Sequence, residues 1–227
     1  MLSVSNLSHE SIGILQSRGR SDQQIIDFSA LLEKAHNALA HETPAKEILS
    51  NFSDAELHLI QKTAGLVDRI NVDSLSNEGA INLLAQPDKT GMIDQNNDGI
   101  VEIGVSRMVT FPPVNAPLSV KLAWNDATEG MSEQDKMVME LNMHSMVYGT
   151  NIDGISSHKA LPPEEQWSNK GIEELFINLR SALAFSVSLD GWERFNLVKK
   201  DFYDKFESAI EENHASGRQN TESTVIT

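Results

Sequence analysis

Cysteine is missing altogether from the 227 residues, which rules out disulfide frameworks, thiolate metal sites and cysteine nucleophiles. The redox compartment stays open, because a chain without thiols tolerates either environment. Basic residues are scarce, 18 against 33 acidic ones, for a formal net charge of -15. That balance repels phosphate backbones and acidic membranes unless the cations cluster. The densest groupings are only Arg18 with Arg20 and Lys199 with Lys200, so nucleic acid is not expected as a partner. Long apolar runs are missing too, since no stretch approaches the roughly 18 residues of a spanning helix. Residues 1–9 have no positive segment leading into an apolar one. These features predict no membrane insertion and no Sec export, and a location in the cytoplasm or outside the cell by a leaderless route. The chain has no G-x-S-x-G, no phosphate-cradling glycine loop and no H-E-x-x-H, so nucleophilic, nucleotide and zinc-hydrolase chemistry lack a motif. No repeat with a period of about 20 to 50 residues suggests a solenoid or propeller.

What the chain does have is a hydrophobic fraction of 40% and helical periodicity over most of its length. Residues 1–20 are rich in Ser and Asn and end in Ser17-Arg18-Gly19-Arg20, a composition that predicts a flexible arm. Ser21 and Gln24 form a capping-box pair before Ile25, Phe28, Leu32, Ala35 and Leu39, which predicts a helix over 22–40. Pro44 suits the first turn of a short helix. Ser53 and Glu56 repeat the capping box ahead of a stripe of Leu57, Ile60, Ala64 and Val67. Ser76 caps a short helix that ends before Pro87.

Between Pro87 and Asn115 the helical period disappears and two short strands fit better. Helices resume over about 117–128 and 132–148. Two amphipathic stripes follow, Ile172, Leu175, Phe176, Leu179 and Leu183, then Trp192, Phe195, Phe202, Phe206 and Ile210. Residues 215–227 lose the apolar repeat and predict a disordered tail. The expected fold is mainly α, about seven helices around one core in a single domain over 21–214, with a two-stranded ribbon inserted near 92–111.

One segment carries metal chemistry. Asp94-Gln95-Asn96-Asn97-Asp98-Gly99-Ile100-Val101-Glu102 places side-chain oxygens at loop positions 1, 3, 5 and 9 and glycine at 6. Calcium needs about six to eight oxygens, and alternate residues of a tightly turned loop can direct them at one centre while the Ile100 carbonyl serves position 7. The predicted ligands are Asp94, Asn96, Asp98, Ile100 and Glu102. Oxygen donors without imidazole or thiolate suit Ca2+ better than zinc. A plain turn between strands would use the same Asn and Gly residues; the correctly spaced Asp94 and Glu102 favour the ion.

These residues resemble the calcium loops of the EF-hand superfamily, matching the D-x-[DN]-x-[DN]-G opening at each fixed position. They depart from it at position 12, which is Val105 where an EF-hand has a bidentate glutamate. They resemble more closely the shorter D-x-[DN]-x-D-G-x-x-[DE] loop of integrin-type propeller repeats, which leads into a strand and in which Glu102 would ligate directly. The resemblance covers about a dozen residues and implies the ion site alone. Asp153, in the irregular stretch 149–169, is a candidate to complete the ligand set.

Other features have plainer explanations beside functional ones. Met137, Met139, Met143 and Met146 share one helix with Leu141 and His144; methionine surfaces can form adaptable grooves, but interleaved Val138 and Leu141 fit core packing. Glu33 and His36 have the Glu-x-x-His spacing of di-iron bundles without the second pair that chemistry needs. The sequence supports a calcium-stabilised structural or protein-interaction module whose partner is another protein. A calcium sensor opening the methionine-bearing helix is one alternative. An enzyme with a site between residues 94–102 and 149–169, using Asp153 or Glu164, is another.

Overall fold

The computed structural model describes residues 7–149, 151–152, 155–156 and 161–223. The chain is mainly helical, with ten α-helices among the described residues rather than seven. They divide between two compact units, Met1–Asn96 with Ile100–Met108 and Asn97–Gly99 with Val109–Thr227. Each unit has its own buried apolar cluster, where the sequence suggested one core.

In the first unit, α1 (His9–Ser17), α2 (Asp22–Ala40), α3 (Ala45–Ser50), α4 (Asp54–Ala64) and α5 (Asn77–Asn82) precede strands β1 (Ile100–Ile103) and β2 (Ser106–Val109). Both predicted capping boxes form, Ser21 with Gln24 and Ser53 with Glu56, so orphan N–H groups at both helix starts are satisfied. Within the segment 1–20, expected to be a flexible arm, His9–Ser17 form α1. Ser8 caps that helix through the Ser11 N–H. The Ser8 hydroxyl donates to the Asp88 carboxylate, and Ser11 accepts the Asp88 N–H. The serines that gave the segment its loose look are thus the groups that dock it, and Leu15 of the same helix is fully buried.

The stripe predicted on α4 runs one turn too far. Gly65, with φ +76°, caps the helix in left-handed geometry, and Val67 beyond it is 93% exposed. β1 and β2 form the predicted two-stranded ribbon. The two-residue turn Gly104-Val105 joins them, a connection too short for anything but antiparallel pairing.

In the second unit, α6 (Leu118–Thr128), α7 (Glu133–Tyr148), α8 (Pro163–Gln166), α9 (Asn169–Asp190) and α10 (Arg194–Ser223) surround an aromatic core. A pair of two-residue strands, β3 (Asn151–Ile152) and β4 (Ile155–Ser156), is antiparallel. Trp124 of α6 meets Phe202 of α10 edge to face at 5.3 Å, and Phe202 stacks on Phe206 at 5.4 Å. Such pairs add to the area term of burial. Of the predicted α10 stripe, Phe202, Phe206 and Ile210 are buried while Trp192 and Phe195 are exposed, because Gly191 ends α9 and both residues lie at the helix junction. α10 continues through 215–223, where an irregular tail was expected.

Candidate metal centre

The short helix α5 organises the segment that holds the predicted ligands. Its residues Glu78 and Asn82 are four apart and therefore share a face, and both are buried. The two Glu78 carboxylate oxygens accept the backbone N–H groups of Gln95 and Glu102, at 2.9 and 2.7 Å. Asn82 donates from Nδ2 to the carbonyls of Ile93 and Glu102, both at 2.8 Å, and accepts the Ile93 N–H at 2.8 Å. Charge-assisted bonds from backbone N–H to carboxylate are among the stronger ones in proteins, and a buried carboxamide is tolerated only when its valences are used. Two side chains of one helical turn therefore clamp the start and the end of the loop.

Gly79, between them, completes the contact. Its carbonyl accepts the Gly104 N–H at 3.0 Å, and a Cβ on Gly79 would stand 2.2 Å from the Gly104 oxygen. Only glycine allows α5 to lie this close to the hairpin turn.

The predicted ligands are placed as follows. Asp94 is buried, at 3% exposure. Asn96 and Asp98 are exposed, and Ile100 and Glu102 are intermediate. The backbone turns sharply at Asn97 and Gly99, with φ of 54° and 76°. The Gly99 position is restricted a second time by sterics within the second unit, since a Cβ there would stand 2.3 Å from the Tyr148 ring and 2.8 Å from His144. Glycine at loop position 6 is thus required by conformation and by packing.

Glu102 is engaged already. Its Oε1 accepts from Arg107 Nε at 3.0 Å and pairs with a second guanidinium nitrogen at 2.9 Å. A hydrogen bond with Ser76, then the Arg107 contacts, hold its carboxyl below the ordinary carboxylate range against the opposing effect of burial. Among the described residues, no three acidic or histidine side chains are grouped so as to hold a metal ion. The proposed donor set fits a hard cation in its chemistry, being all oxygen with three carboxylates, and the Arg107 contacts engage one oxygen of Glu102. Sequence reading missed Glu78, Asn82 and Arg107. The available signal was a pair of polar residues four apart on a short helix that also carries Ala80 and Ile81.

The remaining candidates fall elsewhere. Met139 and Met143 are fully buried in the core of the second unit, which is the packing role and leaves Met137 as the exposed methionine of α7. His144 lies against the Tyr148 ring at 5.1 Å. His36 holds the Leu84 carbonyl through Nε2 at 2.8 Å, which requires a proton on that nitrogen and makes it a structural donor. Asp153 lies outside the described residues, and Glu164 is exposed on α8. Among the described residues no helix is long and apolar enough to cross a membrane. Comparison of the chain with known protein families, with curated proteins and with solved structures finds no match.

Proposed function

We propose that residues 94–102 bind one calcium ion, and that the protein is a calcium-stabilised structural or protein-interaction module. The side chains of Asp94, Asn96, Asp98 and Glu102 with the Ile100 carbonyl would hold the ion, and calcium would supply charge neutralisation and a fixed loop conformation. The observation that carries this reading is the clamp from Glu78 and Asn82 onto the loop's two ends. Donors whose backbone is already held lose less entropy on binding than donors on a free chain. The loop's own acids repel one another, a strain that a divalent cation relieves.

An interaction role draws support from the outward side of α9 and the turn after it. Ile177, Phe185, Leu189 and Trp192 are each more than half exposed, and exposed apolar side chains of this kind are available for partner contacts. The partner expected there is another protein.

An ion that binds only the folded chain raises its stability by about 2.7 kcal/mol at a hundredfold excess over Kd. Thermal melts of the full chain in saturating calcium and in excess EGTA test the reading. The expected outcome is a Tm several degrees higher with calcium; superimposable melts contradict it.

A further inference from the structure

We propose that the first unit carries a second binding site, for a small organic carboxylate with a compact apolar body. The site is a pocket of about 130 Å³ lined by residues of α2, α4, the end of α5 and the segment 83–92 after it, the β1–β2 hairpin, and Arg18 just after α1. Its apolar wall includes Phe28, Leu83, Met92, Ile103 and Met108. A volume of this order takes one aromatic ring, as an apolar cavity of about 150 Å³ takes benzene in another protein.

The polar groups of the pocket select the other end of the ligand. In a chain of net charge -15, the lining contains two cations, Arg18 and Lys89, and no carboxylate. The nearest acid in sequence, Asp88, is turned to other partners: its carboxylate accepts the Ser8 hydroxyl and the Thr90 N–H. Arg18 is oriented by one bond, from its Nη1 to the Thr63 carbonyl, and its other N–H groups have no partner among the described residues. A planar guanidinium anchored by one nitrogen keeps a fork of donors that matches a carboxylate. Lys89 sits in left-handed geometry, φ 71°, in a turn closed by bonds from Gln86 N to Thr90 O and from Met92 N to Lys89 O. A non-glycine residue held in that conformation costs conformational energy that a binding role would account for. Apolar walls with two cations, both exposed, and no acid fit an anion with a hydrophobic body and favour it over its neutral counterpart.

The test uses the full chain in EGTA, so that the loop at 94–102 takes no part. 3-Phenylpropionate and its uncharged amide are titrated while amide and methyl NMR shifts are followed. The expected result is saturable binding of the carboxylate, shifts centred on Leu83, Met92 and Ile103, and at least about tenfold weaker binding of the amide, the factor that one charge-assisted contact confers. Arg18→Gln and Lys89→Gln should each weaken the carboxylate several-fold. Lys89→Gln decides the matter if Arg18→Gln loses its fold along with the Thr63 contact. No saturable shift up to the solubility limit, equal binding of acid and amide, or unchanged affinity in a folded Lys89→Gln variant would each overturn the proposal.

Discussion

Asn82 and Ile93 exchange two hydrogen bonds, Nδ2 to the Ile93 carbonyl and the Ile93 N–H to Oδ1, both at 2.8 Å. The side-chain amide thereby stands in for a strand residue and pairs with the backbone just before Asp94. The same Nδ2 reaches the Glu102 carbonyl, so one carboxamide ties together both ends of the candidate loop.

Removing that group leaves the Ile93 N–H and two carbonyls without their partner in a buried setting. Asn82→Ala is expected to destabilise the chain by about 1–3 kcal/mol, the cost of stranding buried polar groups. Asn82→Asp should fare little better, because a carboxylate cannot donate to the two carbonyls. Urea unfolding of both variants measures the effect, and a wild-type midpoint in either contradicts the role.

Tyr203 gives the fold an alkaline limit. Burial pushes its phenol up to about 12, and its hydroxyl donates to Asn142 Oδ1 at 2.7 Å. The folded value lies above the unfolded value of about 10. The associated stability, on the order of 2–3 kcal/mol, is therefore fully present below pH about 10 and lost as the pH climbs toward 12. Tyr203→Phe should flatten that decline relative to wild type in unfolding curves across this window; parallel declines would contradict it.

Arg107 pairs with the carboxylate of Glu102, one of the proposed calcium ligands. Its side chain is 74% exposed and that of Glu102 23% exposed, so the pair is weak and its loss cheap. Arg107→Ala is expected to raise calcium affinity about two- to fivefold, as removal of a competing cation should. Unchanged or weaker affinity in the variant would show that Glu102 is not released to the ion.

Local signals in the sequence carried the helices well. The boxes at Ser21 and Ser53 act over one turn and need no tertiary help, and both form where expected. The ribbon after the loop follows from lost helical period, but its turn was not read from the sequence, which suggested strand through Gly104 and Val105; Gly104 instead takes φ +62° at the turn. Val67 was misplaced because apolar spacing carries no stop signal, whereas Gly65 does. The segment around Ser8 and Ser11 looked loose because serine composition does not reveal that Asp88, about 80 residues on, accepts one hydroxyl and donates its N–H to the other. The division into two cores was hidden for a similar reason: apolar periodicity identifies buried faces but not which faces meet. At the candidate centre the proposed oxygen donors are a matter of spacing and so are read from sequence, while Glu78, Asn82 and Arg107 act through contacts that only folding creates.

Calorimetric titration of the wild-type chain and of Asp98→Ala with calcium is the most direct measurement. The account predicts a single site in the wild type, weaker magnesium binding because that ion demands stricter octahedral geometry, and at least about a tenfold loss in the variant. No binding heat in the wild type, or the same affinity with and without the Asp98 carboxylate, would contradict it.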